Sequence, residues 1–217
     1  MSSKFPSPSD AAAADASAIA RAEARLDDAC RAVDPWPTLR RGPAHDHRVF
    51  TVESVVRRSP RTGREGDYHV IRSAPWVNVV AITPDDALVL VAQYRHGTET
   101  VTLEIPGGMV DPDEPPAVAA ARELREETGY AGDDPIALGL VHPNPAIQDN
   151  ACTTWLIENA RPVAEQEPDE GEDLRVVTVP MASVPALVAR GHITHALVLC
   201  AFYWLDRHRA RVAEAQR

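Results

Sequence analysis

The 23 residues from Gly108 to Tyr130, GMVDPDEPPAVAAARELREETGY, constrain this chain more than any other stretch. Glu123, Glu126 and Glu127 stand at i, i+3 and i+4, so on a helix they share one face and their oxygens can converge on one point. Crowded anions need a cation. Hard oxygen donors, with neither Cys nor His among them, suit Mg²⁺ or Mn²⁺ better than zinc. The competing reading is a solvated acidic turn, because like-charged neighbours cost only about 0.2 to 0.5 kcal/mol per pair.

The remaining spacing decides between the two. Gly108 is followed after five residues by Glu114, then after seven by Arg122-Glu123, Leu124, Arg125, Glu126-Glu127, Thr128 and Gly129. This pattern resembles the Nudix box. At ordinary residue frequencies seven such positions coincide by chance in on the order of a few windows per billion. The last position of the box is usually aliphatic and here is Tyr130, a departure expected to alter packing rather than chemistry.

Each part of the box has a physical task. Pro106-Gly107-Gly108 forms a turn in which missing side chains let the backbone, the Gly107 carbonyl especially, approach a metal or phosphate. Asp111, Asp113 and Glu114 precede the helix, and Pro115-Pro116 suits a first turn, where no N–H partner is lost. Ala117, Ala120, Ala121 and Leu124 form the expected buried stripe, and Thr128-Gly129 ends the helix. In Nudix proteins the arginine matching Arg122 orients a neighbouring glutamate, so the resemblance implies that Arg122 acts behind the metal ligands, with Glu114 beside it.

The 217 residues accommodate one well-filled α/β domain with an extra terminal segment. Residues 1–45 read as a disordered tail rich in Ser, Pro, Ala and Asp, an amphipathic helix from Ser17 to Val33 that should dock on something, and a linker from Arg40 to His47. Residues 46–217 read as the catalytic domain. Strands are expected at Val49–Val56, Tyr68–Arg72, Trp76–Ile82, Ala87–Tyr94, Val101–Ile105, Ile136–Val141, Thr153–Glu158 and Leu174–Val179, and helices at Ser183–Arg190 and Thr194–Arg209. Together with the resemblance, this predicts a Nudix fold: an α/β/α sandwich around a mixed β-sheet with an N-terminal helical extension.

A net charge of −10 disfavours nucleic acid or an anionic membrane as partner. No apolar run approaches the roughly 20 residues needed to span a bilayer, and no signal-peptide core opens the sequence. Cys30, Cys152 and Cys200 form no CxxC pair and read as reduced structural thiols, so a cytoplasmic location is expected.

Beyond the box, the chain from about Val49 onward resembles the ADP-ribose pyrophosphatase branch. Gln93-Tyr94-Arg95 precedes Leu103-Glu104-Ile105-Pro106-Gly107-Gly108, the family's usual lead-in, and the resemblance implies that Arg95 contacts the diphosphate and that Glu104 belongs to the substrate site. His142-Pro143-Asn144-Pro145 places Pro145 fifteen residues after Tyr130, near the proline that marks ADP-ribose hydrolysis in the subfamily. Pro168 to Leu174 is an acidic loop from which a glutamate, Glu172 or Glu170, is expected to help activate the attacking water. Trp76 is a candidate base-stacking surface or dimer contact, or simply a half-buried strand residue. His142, His192 and His195 receive no role.

The resemblance implies an enzyme in which Mg²⁺, with Mn²⁺ as a substitute, is held by Glu123, Glu127, Glu126 and the Gly107 carbonyl, with catalysis carried by Glu127, Glu126 and the loop glutamate. The implied products from ADP-ribose are AMP and ribose 5-phosphate. Other nucleotide sugars, ADP-glucose or GDP-mannose, keep the chemistry and change the leaving half. A non-catalytic ADP-ribose sensor is the reading of a different class. The family also implies a homodimer, with the strands of residues 49–72 packed across the interface.

Overall fold

A computed structural model describes residues 16–167, 171 and 173–216. They separate into two compact units, residues 16–44 with 53–69, and residues 45–52 with 70–216.

The first unit carries helix α1 (Ala16–Arg31) and most of a three-stranded sheet in the order β1 (Thr38–Asp46), β2 (Thr51–Arg58), β3 (Glu65–Arg72). The helix falls where its apolar spacing predicts. Its docking is not met among the described residues, since Ile19 and Leu26 stay 47% and 64% exposed. The expected linker at Arg40–His47 is corrected by strand β1. Gly42 and Pro43 break the period-2 signal there, yet β1 lies at the sheet edge, where a proline costs no ladder bond.

The second unit holds β4 (Trp76–Ala81), β5 (Ala87–Arg95), β6 (Thr100–Glu104), β7 (Gly107–Met109), α2 (Pro116–Thr128), β8 (Tyr130–Ala131), β9 (Ile136–Val141), β10 (Cys152–Ile157), β11 (Arg161–Pro162), β12 (Leu174–Pro180), α3 (Val184–Ala189) and α4 (Ala196–Ala215). One sheet runs β7-β4-β10-β9, with β4 and β10 parallel and the outer pairs antiparallel; another runs β12-β5-β6, and a short pair joins β11 to β8. β4, β5 and β10 are buried on both faces. Val77, Val79, Ala81, Val89 and Ile157 point one way, onto Ala119, Ala120 and Leu124 of α2. Val80, Ile82, Leu88, Leu90 and Leu156 point the other way, onto Val184 of α3 and Val198, Ala201 and Leu205 of α4. Helices therefore cover both faces of a mixed sheet, the α/β/α arrangement read from the sequence. Among the described residues no helix is long and apolar enough to cross a membrane.

Two details of α2 differ from expectation. Its buried residues are Ala119, Ala120, Leu124, Glu127 and Thr128, whereas Ala121 is exposed and Ala117 half-buried. The inward face thus runs 120, 124, 127, 128, and it draws the Glu127 carboxylate into the protein. Cys152 on β10 is fully buried, and burial, with the neighbouring Cys200, pushes its thiol up to about 12.

Candidate active site

Four features fix the box helix. Pro115 takes the N-cap in an extended conformation with no side-chain cap, and Pro116 opens the first turn. At the other end Gly129 adopts φ 73°, and its N–H donates to the Arg125 carbonyl at 2.8 Å. The turn before the helix is sewn to β4: the Val79 N–H donates to the Pro106 carbonyl at 2.8 Å, and the Val110 N–H to the Pro75 carbonyl at 2.9 Å. The segment after β11 buttresses the helix end, with the Glu167 N–H donating to the Glu126 carbonyl at 2.8 Å and Gln166 Nε2 to the Glu127 carbonyl at 2.5 Å.

Within this frame Glu127 reaches Gly107 and Glu123 reaches Gly108. Glu127 is 3% exposed, and its Oε2 accepts the Gly107 N–H at 3.0 Å. A Cβ on Gly108 would lie 2.5 Å from Glu123 Oε1, and one on Gly107 would overlap the Val77 carbonyl. Gly107 therefore excludes any side chain, whereas one at Gly108 would push the Glu123 carboxylate aside.

Arg122 organises the rest. Its Nε and Nη2 donate to Glu114 Oε1 and Oε2 at 3.0 and 2.9 Å, and Nη2 also donates to the Met109 carbonyl at 3.0 Å. Nη1 donates to Glu123 Oε1 and Glu126 Oε2, both at 2.9 Å. A guanidinium has five N–H donors, and these bonds account for all of them. The bond from Arg122 holds Glu114 below the ordinary carboxylate value, and Glu114 in turn accepts the Asp111 N–H at 3.2 Å. Bonds to Glu114 first, then to Glu126, and the charge of Glu123 raise Arg122 above its ordinary value despite partial burial. Arg122 has no donor left for a substrate, which suits the orienting task expected of it.

A second arginine stands on the neighbouring hairpin. Arg95 Nε and Nη2 donate to Glu104 Oε1 and Oε2, each at 2.8 Å, a two-pronged pair. The Thr102 hydroxyl donates to Glu104 Oε1 at 2.6 Å, and His195 Nε2 lies 3.8 Å from Oε2. Burial pushes the Glu104 carboxyl up, but the bonds from Arg95 and Thr102 and the charges of Arg95 and His195 outweigh it and hold the group below its ordinary value.

The chosen residues thus fall into two groups. Gly107, Glu114, Arg122, Glu123, Glu126 and Glu127 form one cluster, and Arg95 with Glu104 another. Trp76 is half-buried at the start of β4, paired with Met109 and Cys152, and Pro145 is exposed in the loop after β9. Among the described residues neither side chain is bonded to either cluster. Glu170 and Glu172 lie outside the described residues. His195 and Thr102 are functional-site neighbours that no sequence spacing announced.

The donor set fits a hard divalent cation. Three carboxylates and a glycine turn offer oxygen alone, although among the described residues no three acidic or metal-binding side chains form a ready-made cage, because Arg122 and Gly107 hold the carboxylates.

The model of the NUDIX domain family matches residues 72–202, well over half of the chain. The chain belongs to the Nudix family. It is a Nudix hydrolase similar to an ADP-ribose pyrophosphatase of Bacillus subtilis, at 28% identity over 153 residues covering 70% of this chain and 83% of that protein. It is also similar to an ADP-ribose pyrophosphatase of Mycobacterium tuberculosis, at 31% identity over 169 residues covering 76% and 80%. A crystal structure of an ADP compounds hydrolase matches the Nudix fold with a TM-score of 0.72 and 28% identity, over 81% of this chain and 94% of the other.

Proposed function

We propose that this Nudix hydrolase cleaves the diphosphate linkage of ADP-ribose, or of a closely related nucleoside diphosphate sugar, releasing a nucleoside monophosphate and a sugar phosphate. The observation that carries the proposal is the placing of Glu127 and Glu123 at the Gly107-Gly108 turn, with Glu123 and Glu126 both bonded to Arg122, in a chain two of whose relatives are named ADP-ribose pyrophosphatases. Glu123, Glu126, Glu127 and the Gly107 carbonyl would hold Mg²⁺, or Mn²⁺ in its place, which supplies positive charge against the diphosphate.

The protein's own groups do the rest. Glu127 is aimed by the Gly107 N–H, and Arg122 holds Glu123 and Glu126. Arg95, fixed by Glu104, grips the diphosphate. A glutamate of the acidic loop, Glu172 or Glu170, takes the proton of the attacking water as its oxygen bonds to phosphorus and the P–O–P bridge breaks. The bonds of Gln166 and Glu167 to the backbone carbonyls of Glu127 and Glu126 support this, since these residues lead into that loop. Trp76 and Pro145 border the sugar or base. Small nucleotide sugars, rather than nucleic acid or membrane, are the partners that fit a net charge of −10. A cytoplasmic homodimer of domains spanning residues 46–217 completes the reading.

The test is phosphatase-coupled product release with Mg²⁺ across ADP-ribose, ADP-glucose, GDP-mannose and a dinucleotide polyphosphate, with Glu127→Gln in parallel. Rapid AMP release from ADP-ribose is expected. The variant should lose more than the roughly 10- to 100-fold typical of a group one step removed from a metal. Faster cleavage of another nucleotide sugar would correct the substrate, and tight ADP-ribose binding without turnover would replace the enzyme with a sensor.

A further inference from the structure

His195 stands at the N-cap of α4, a position that favours Ser, Thr, Asp or Asn because their side chains bond the free backbone N–H groups. His195 makes no such cap bond. Its ring instead brings Nε2 to 3.8 Å from Glu104 Oε2, while Nδ1 is buried with no partner among the described residues. The backbone around it is held firmly, because Ile193 before it and Val198 after it are each 1% exposed in the core. A rigid residue that forgoes its local task and leaves one nitrogen unsatisfied is a local conflict, of the kind that collects at functional sites.

The geometry at Glu104 gives the conflict a purpose. The terminal torsion of a glutamate is broad, so a carboxylate held by one partner can rotate. A two-pronged pair with Arg95 needs both oxygens in the plane of the guanidinium fork. Thr102 settles Oε1 from one side with a 2.6 Å hydrogen bond. His195 faces Oε2 from the other, at a distance suited to electrostatic attraction rather than a hydrogen bond. Arg95 reaches Glu104 by lying back along the hairpin, since in the β5–β6 register Arg95 pairs with Thr100 and Glu104 with Val91. The orientation of the guanidinium therefore follows the orientation of the carboxylate.

We propose that His195 is a positioning residue that fixes the Glu104 carboxylate, and through it the Arg95 guanidinium, for the diphosphate of the substrate. The inference deepens the function proposed above and rests on its assignment of Arg95 to the diphosphate. Because Arg95 holds ground state and transition state alike, its misplacement is felt first in binding.

The test uses the full chain as wild type, His195→Phe, His195→Gln, Arg95→Lys and the double variant His195→Phe/Arg95→Lys. Two quantities are read: KM and kcat for ADP-ribose, and the Kd of its uncleavable α,β-methylene analogue. His195→Phe should weaken binding of the analogue about fivefold and raise KM by a larger factor than it lowers kcat. His195→Gln, which keeps an N–H donor, should recover most of the loss. In the Arg95→Lys background His195→Phe should add nothing, the signature of residues acting as one unit. Equal analogue binding by wild type and His195→Phe, or full additivity with Arg95→Lys, overturns the inference while leaving the hydrolase reading intact. A wild-type protein that turns over none of the panel but binds the analogue with the same coupling overturns the hydrolase reading and keeps the role of His195.

Discussion

Arg122 gives all five of its N–H donors to oxygens of its own helix and the loop before it, whereas Arg95 turns one edge of its guanidinium to a single buried carboxylate on the next strand. The charges around them differ as well. Glu114, Glu123 and Glu126 all pair with the first, three carboxylates on one cation, while the second forms a two-pronged pair with Glu104. Among the described residues the first region carries more negative than positive charge, the setting that favours a cation. Exposure follows the same division, with the Arg122 side chain 26% exposed and that of Arg95 43%. One arginine is a clasp inside the protein and the other a presented hand.

The largest effect should come from loosening the clasp. Arg122→Lys replaces a five-donor fork by a point charge with three donors, so Glu114, Glu123 and Glu126 cannot all be held. A fall of about 100-fold in kcat/KM, with a higher Mg²⁺ concentration needed for half-maximal rate, is expected. A variant that kept the metal requirement and changed KM alone would erase the distinction between the two arginines.

Acid should test the second region through Glu104. The fold holds the Glu104 carboxyl below its ordinary value of 4.5, so its contribution to stability is fully present above that value and is lost as pH falls below it towards the folded value. Glu104→Gln should therefore lower Tm near neutral pH, and its Tm should decline less steeply than that of the wild type as the pH is taken below 4.5. Parallel slopes by calorimetry would mean that Glu104 is not held ionised by Arg95.

The smallest effect is expected just past the box helix. Tyr130 packs against the Ala119, Ala120 and Leu124 cluster, and Tyr130→Leu restores the aliphatic residue usual in the family. Stability should change by less than about 1.5 kcal/mol in a denaturant titration, with kcat/KM within about twofold of wild type. A large loss of activity would bring Tyr130 into the site.

Much of this architecture was legible because its signals are local. The runs that became β4, β5 and β10 are apolar throughout, as strands buried on both faces must be, and the box helix carried its own start, stop and face. β1 escaped because Pro43 reads as a break, and only its edge position makes that proline harmless. β7, β8 and β11 are two or three residues long, too short for an alternation to show. The bonds from Arg122 to Glu123 and Glu126 join residues whose spacing already puts them on one helix turn, and Gly108 lies against the Glu123 carboxylate. His195 was not legible at all. Ninety-one residues separate it from Glu104, and their meeting depends on how α4 packs on the sheet.

The Cys152 thiol, buried and pushed up to about 12, also makes the protein its own stopwatch. Alkylating reagents attack thiolates they can reach, so in the folded protein exposed Cys30 is modified at once, whereas Cys152 waits for its strand to open. β10 lies between β4 and β9 with ladder bonds on both sides. Once partly exposed Cys200 is accounted for, the slowest phase of labelling, that of Cys152, therefore times the opening of the central sheet.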